Sequence, residues 1–453
     1  MNNQPNGAIY DARQLGIPKM LILGLQHMFA MFGATVLVPI LVQGYGLPLN
    51  IQTTLFFAGI GTLFFHVCSK MKVPAFLGSS FAFLGGFQAM ANLSDGMYAN
   101  MDPAVKLQYA CGGIVVAGLL YVVLATIIKA VGVYKVMRFL PPVVTGPIII
   151  LIGLNLAPSA VSNASSCWWL AILSIAVIVV ANIWGKGMIK IVPILLGVVV
   201  PYLVAVALTL VGVPLIDFSG AKDAAVLGFQ PFVTNFGGSI AKFDITAILV
   251  MAPIAIAAMM EHIGDMSAIS ATVGENFIED PGLHRTLIGD GIATALSAMF
   301  GGPANTTYGE NTGVLVLSRV YDPKVVRLAA FYAVILSFSP WFAAIINSIP
   351  AAIIGGVSFI LYGMISAIGV RNVVENRVDF TNSRNLIIAA VILVCGLGFS
   401  GGLTFQVAGA SITLTSLAIA AIAGIALNAI LPGNDFEFGA DTTDTHPGDF
   451  GRY

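Results

Sequence analysis

From Met20 to Ser69 the chain carries no Asp, Glu, Lys or Arg, and from Phe139 to Gly185 it again carries none. Uncharged runs of that length cannot cover a water-exposed surface. They suit hydrocarbon, which a helix of about 20 apolar residues crosses. Composition agrees: 9% of the 453 residues are charged and 58% hydrophobic, against about 25% charged in an average soluble domain. The chain therefore reads as an all-α polytopic membrane protein. A net charge of −1 selects no partner, and no basic patch points to nucleic acid. The polar start "MNNQPNGAIYDARQLGIPK" does not match a cleavable signal peptide. Cys68, Cys111, Cys167 and Cys395 lie far apart without metal-ligand spacing, so free thiols are expected, with no metal and no cofactor.

Fourteen candidate spans follow from the apolar runs: 18–43, 50–69, 73–92, 108–130, 140–158, 167–184, 190–213, 243–262, 286–300, 303–318, 325–346, 350–369, 385–399 and 408–431. With the N-terminus in the cytoplasm, only Lys106, Lys222 and Lys242 of the 20 basic residues fall outside, the asymmetry that orients such proteins. Both termini are then cytoplasmic, the last being the polar stretch "NDFEFGADTTDTHPGDFGRY".

A faint repeat divides the chain. Ser79-Ser80-Phe81 followed by Gly86 matches Thr306-Thr307-Tyr308 followed by Gly313, each after a proline, Pro74 or Pro303. Pro141, Gly146 and Gly153 match Pro350, Gly356 and Gly363. These pairs fall in the third and tenth spans and in the fifth and twelfth. They imply two repeats of seven, and an odd number turns one upside down relative to the other. "VPAFLGSSFAF" and "GGPANTTYGENTG" interrupt spans 3 and 10 with Pro, Gly and hydroxyl residues. Each is expected to begin as a short strand and end as a half-helix, since Pro removes a donor and Gly weakens a helix. The two strands, running antiparallel, would satisfy one another in a place where irregular backbone survives only inside protein or along a cavity.

Carboxylates mark the same region. Glu261 and Asp265 stand four residues apart, on one helical face, at the end of the eighth apolar run. Glu310 sits in the second broken segment. Intramembrane carboxylates are costly and mark substrate or ion paths. Two close together cannot both ionise freely and titrate as a pair. Such a site takes up a proton, and it can accept hydrogen bonds from ring N–H groups. His262 is turned to another side of the helix and reads as a packing residue. Gln26 and His27 read as ties between helices, and His66 and His284 as interfacial.

"LQHMFAMFGATVLVP", "GSSFAF", "EHIGD", "DPGLHR" and "NTTYGENTG" resemble the nucleobase–ascorbate (nucleobase–cation symporter) transporter family, and within it the bacterial uracil permeases; the resemblance runs from about Gln26 to Leu431. It implies 14 transmembrane segments in two inverted repeats of seven, with short antiparallel strands in spans 3 and 10, and a homodimer in the bacterial cytoplasmic membrane. The implied parts are a core of residues 1–134 and 236–346, a gate of 135–235 and 347–431, and a tail of 432–453. By the same resemblance Phe81 stacks on the pyrimidine ring, Glu261 and Glu310 accept from the ring amides, the Tyr308 and Gly309 backbone meets a carbonyl oxygen, and Ala34 lines the pocket. The signature reads Glu310-Asn311-Thr312-Gly313, then Ser318-Arg319, with Ser in place of the family's Thr. Asp265 stands where uracil permeases commonly carry His, so the proton is assigned to the pair Glu261 and Asp265, with Na⁺ as the less favoured ion. The implied activity is proton-coupled uracil import by alternating access. A xanthine- or urate-type carrier and a small-anion transporter of the same fold are the other readings. No nucleophile–base set suggests an enzyme.

Overall fold

The computed structural model describes residues 7–94, 96–228, 240–407 and 410–433. The expected boundary at 235/236 and the tail from 434 onward lie outside the described residues, as does the side chain of Glu310.

The chain runs α1 (Ile17–Gly44), α2 (Ile51–Cys68), β1 (Leu77–Ser79), α3 (Leu84–Asn92), α4 (Pro103–Val131), α5 (Pro142–Ala164), α6 (Trp168–Ile183) and α7 (Pro193–Leu210). It continues with α8 (Ile245–Met251), α9 (Ile254–Val273), α10 (Leu283–Met299), β2 (Asn305–Thr307), α11 (Gly309–Ser318), α12 (Pro323–Ser337), α13 (Pro340–Asn347) and α14 (Ala351–Glu375). Last come α15 (Ser383–Gly398), β3 (Leu403–Val407), β4 (Ala410–Leu414) and α16 (Ser416–Ile430). Among the described residues, seven helices are long and apolar enough to cross a membrane, or eight if one bent pair counts as a span. The protein is thus a mostly helical, multi-pass membrane protein.

The helices sort into two packing groups. In one, α4 and α2 close on α10, and α12 packs on both α2 and α1. In the other, α5 crosses α14, with α6, α7, α15 and α16 around them. The α5–α14 crossing is close because small residues face each other: a Cβ on Gly153 would come 2.2 Å from the Tyr362 carbonyl oxygen, and one on Gly146 2.3 Å from Val373. Gly356 meets the Ala171 carbonyl in the same way, whereas Gly363 has open space beside it and is not a packing glycine.

Three expectations are corrected. The 325–346 segment is not one continuous helix, because α12 and α13 meet at 88°. Pro340 lacks an N–H and biases the preceding residue against helix, and Ser339 caps the new helix by accepting from Phe342 N–H. The apolar run from 408 does not start as a helix. Leu403–Val407 pairs antiparallel with Ala410–Leu414, and α16 begins only at Ser416. Finally, α9 continues to Val273, so Glu261 and Asp265 sit inside a helix and not at its end.

The broken segments are held by one device used twice. Leu77–Ser79 pairs antiparallel with Asn305–Thr307, Leu77 opposite Thr307. The pairing extends through Ser80 N–H to the Ala304 carbonyl (2.8 Å) and Tyr308 N–H to the Phe76 carbonyl (3.0 Å). From α2, the Thr62 hydroxyl accepts from Leu77 N–H (2.9 Å) and lies 3.2 Å from the Leu77 carbonyl. From α10, the Thr294 hydroxyl accepts from Asn305 N–H (3.1 Å) and lies 3.0 Å from the Asn305 carbonyl. One turn further along each helix, His66 Nε2 donates to the Ala75 carbonyl (2.8 Å) and Ser297 to the Pro303 carbonyl (2.7 Å). The unwound backbone is therefore satisfied by protein in both places, as its depth demands. His66 is fully buried in this role.

The N-terminal segment docks on the loop after α11. Ile9 N–H bonds the Arg319 carbonyl (2.9 Å) and Tyr321 N–H the Ile9 carbonyl (2.8 Å). Beside it Arg13 bonds Asp11 (2.8 Å) and Lys324 reaches it (3.3 Å). Hydrogen bonds from Arg13 hold the Asp11 carboxyl well below the usual carboxylate range. A carboxylate whose pKa is lowered on folding stabilises above its ordinary pKa, and that contribution is lost as pH falls through the folded value. The pairs are exposed, so the effect is small. Protection of the Ile9 and Tyr321 amides against exchange is expected to fall between about pH 5 and about pH 2, and Asp11→Asn to show the lower protection already at neutral pH. Equal protection at both extremes refutes the assignment.

Candidate functional site

The strand crossing and α9 bring several of the expected residues together. Asp265 is buried, and its Oδ2 accepts from the Thr307 hydroxyl at 2.8 Å. A Cβ on Gly309 would stand 3.6 Å from Asp265 Oδ1, so the carboxylate lies against the start of α11. Glu261, one turn earlier on the same face of α9, is partly buried. Glu310 follows Gly309 in the first turn of α11, which packs on α9.

Tyr308 is fixed from three directions. Its N–H is used by Phe76, its hydroxyl donates to the Ser79 carbonyl (2.9 Å), and its ring lies on Gly78, where a Cβ would come within 2.3 Å. With the Tyr308 N–H occupied, the backbone donor next to the carboxylates is that of Gly309. That group opens a helix and has no intrahelical acceptor, and a helix N-terminus favours negative or acceptor groups. Phe81 follows β1, is 5% exposed, and meets Tyr362 of α14 edge-on at 6.0 Å, so the two packing groups touch at this ring. Ala34 is fully buried on α1, next to Thr35, whose carbonyl accepts from Ser79 Oγ (2.8 Å).

Among the buried polar atoms with no hydrogen-bond partner among the described residues are Ser80 Oγ just after β1, Thr306 Oγ1 of β2, and Asn311 Oδ1 and Thr312 Oγ1 of α11. The apolar crevice lined by Phe32, Val36, Leu37, Leu195, Ile346 and Val357 is elsewhere and holds only about 30 Å³. His27 ties α1 to α11: Asn311 Nδ2 lies 3.2 Å from both His27 Nδ1 and the His27 carbonyl. Among the described residues no cluster of His, Cys, Asp and Glu could hold a metal ion, and the four cysteines are free.

Sequence reasoning passes over one carboxylate. Asp290 of α10 is fully buried, with its Oδ2 2.8 Å from His262 Nδ1. A charged residue inside an apolar span was the available signal, written plainly as Gly289-Asp290-Gly291.

A permease-family model matches residues 18–404. The chain is 41% identical over 440 residues to the uracil permease of Bacillus caldolyticus, covering 95% of this chain and 96% of that one. The chain is a member of the nucleobase–ascorbate transporter family. The uracil permease of Bacillus subtilis (strain 168) is 38% identical over 435 residues, covering 93% and 94%. The putative pyrimidine permease RutG of Escherichia coli (strain K12) is 37% identical over 431, covering 94% and 92%. This nucleobase–ascorbate family member is therefore a transporter and not an enzyme. Its fold is shared more widely. The transmembrane domain of the cyanobacterial bicarbonate transporter BicA matches with a TM-score of 0.61 at 18% identity, over 92% of this chain and 99% of that one. The overall structure of SLC26A9 matches at 0.61 and 12% identity, over 93% and 66%.

Proposed function

We propose that this protein imports uracil across the bacterial cytoplasmic membrane together with a proton, by alternating access. The observation that carries the reading is the meeting of Asp265, Thr307 and Gly309 at the strand crossing, with Glu261 one turn away on the same face. Uracil offers two ring N–H donors and two carbonyl acceptors. Glu261 accepts from the N–H groups with Glu310 opposite, Gly309 N–H donates to a carbonyl, and Phe81 stacks on the ring with Ala34 behind. Protonation of the Glu261/Asp265 pair accompanies binding, because each carboxylate titrates in the other's field. Relatives named as uracil permeases, similar along nearly the whole chain, support the substrate.

The same proposal includes 14 spans in two inverted repeats of seven. The Thr62–Leu77 and Thr294–Asn305 bonds, one in each half at matching places, support it. The core is 1–134 and 236–346, the gate 135–235 and 347–431, and the Phe81–Tyr362 contact lies between them. Both termini are cytoplasmic and the assembly is a homodimer. The likeness to BicA favours an anion carrier only at the level of fold, and carboxylates facing the ligand oppose one.

Proteoliposome uptake tests ion and substrate together. Uptake of labelled uracil is expected to follow an inward proton gradient and ignore Na⁺. Asp265→His should keep that response, and Asp265→Asn should lose about 10²-fold of it, the lower end of what a positioned proton-transfer group contributes. Uptake driven by Na⁺ and indifferent to pH overturns the ion assignment. A thermal-shift response to xanthine or urate with none to uracil overturns the substrate.

A further inference from the structure

A second ionisable pair is sealed inside the helix group that carries the site. His262 Nδ1 and Asp290 Oδ2 lie 2.8 Å apart, and neither side chain has exposed surface. The seal is made by the two glycines around Asp290. A Cβ on Gly289 would come 3.0 Å from the Phe65 ring and 3.1 Å from Cys68 Cβ; one on Gly291 would come 2.4 Å from Tyr121 Cβ and 2.6 Å from the Gly118 carbonyl. So α2 and α4 close on α10 from both sides of the carboxylate. Phe65 also meets His262 edge-on at 6.2 Å.

From α4 comes Tyr121, whose buried hydroxyl has no hydrogen-bond partner among the described residues and which lies within electrostatic reach of both Asp290 and Glu261. From α2 come His66, whose Nε2 is held by Ala75, and Cys68, beside Gly289. On α9 itself stand Glu261 and Asp265; α10 carries His284 and Arg285 in its first turn, and the turn before it, which packs on both helices, carries Glu279 and Asp280. Helices α5, α8 and α16, which also pack near α9, contain no Asp, Glu, Lys, Arg or His, nor does β2; α11 brings Glu310.

The contact joins α9 to α10 at a point closed to solvent. Neighbouring residues project about 100° apart around a helix, so anchoring His262 to α10 fixes which way Glu261 and Asp265 point.

We propose that His262 and Asp290 are a positioning pair: their contact sets the rotation of α9 and holds Glu261 and Asp265 toward the strand crossing. The inference rests on the nucleobase reading, and the experiment separates the two. Uracil affinity is measured by calorimetry on the full-length protein between about pH 5.5 and about pH 8.5, the range in which an ordinary His titrates, alongside the ligand-free melting temperature. In folded Asp290→Asn and His262→Gln, affinity should fall about tenfold or more, while the pH at which binding declines stays put. The double variant should be no weaker than the worse single one, since one contact is lost once.

Wild-type affinity in both variants, with only a lowered melting temperature, reduces the pair to a structural contact and overturns the proposal. A shift of about one unit in the binding pH profile, 1.4 kcal/mol of linkage, also overturns it, because the pair would then exchange the transported proton. Should the variants not fold, the exchanged pair, His262→Asp with Asp290→His, is measured instead: uracil affinity within about threefold of wild type supports the proposal, and a folded protein without uracil affinity overturns it. A wild type that binds no uracil sinks the nucleobase reading instead.

Discussion

Glu261→Gln is expected to weaken uracil binding by about 10²–10⁴ while leaving the protein folded. The side chain sits inside α9, partly buried, one turn from a carboxylate that already has a fixed partner in Thr307. Glutamine keeps the shape but halves the accepting capacity and adds an N–H donor, which would face the ring N–H groups of uracil. A hydrogen bond to a charged group contributes about 1.5–3 kcal/mol, and a buried donor left without an acceptor costs about 1–3 more. The sum corresponds to a loss of about 10²–10⁴ in affinity. Calorimetry on protein with a wild-type melting temperature reads it directly. Because the proposed coupling also runs through this group, whatever binding remains should no longer vary with pH. Affinity within about threefold of wild type, less than 1 kcal/mol, would remove Glu261 from the ligand contacts. Glu261→Asp should fall between the two, since it keeps the charge but withdraws it by one methylene.

What the sequence discloses and what it hides follow from the range of the forces involved. The apolar spans are legible because a charge-free run such as Met20–Ser69 has one comfortable solvent. The two breaks are legible because Pro74, Pro303 and the glycines around them act on their own backbone, without help from the fold. Glu261 and Asp265 were legible as a pair because spacing of four is a property of any helix. The end of α9 was not. His262, Gly264 and Asp265 lower the local hydropathy and make the run seem finished, yet these residues continue the helix to Val273 because neighbouring elements supply partners: Thr307 for Asp265, Asp290 for His262. The burial of His66 has the same origin, since only the folded chain brings the Ala75 carbonyl to it. The β3–β4 hairpin was hidden for another reason. Its residues are apolar enough to pass for the start of a span, and periodicity cannot separate a short buried strand from a helix. At the site, the motif named Tyr308 and Gly309 but did not disclose that the Tyr308 N–H is already engaged by Phe76.

Gly78→Ala should disable the site from a position that no ligand needs to touch. The added Cβ would lie 2.3 Å from Tyr308 Cε2 and Cζ and 2.7 Å from its hydroxyl oxygen. A flexible neighbour could step aside, but this ring is held by its hydroxyl bond to Ser79 and by its backbone bond to Phe76. Relief therefore comes by breaking one of those bonds or by parting the strands. Overpacking costs about 1–3 kcal/mol and a lost hydrogen bond about 1 more, so a destabilisation of about 2–4 kcal/mol is expected. Uracil affinity should fall with it, because Gly309 and Glu310 continue the chain directly from Tyr308. Two companions isolate the cause. Gly85→Ala, on the half-helix just beyond, meets nothing within 4 Å; it should be neutral or slightly stabilising, as Ala is the better helix former. Tyr308→Ala removes the obstructing ring, and adding Gly78→Ala to it should cost little more, a non-additivity that residues in contact show. If Gly78→Ala melts and binds as wild type does, the Tyr308 ring is not the fixed wall against which the two strands cross.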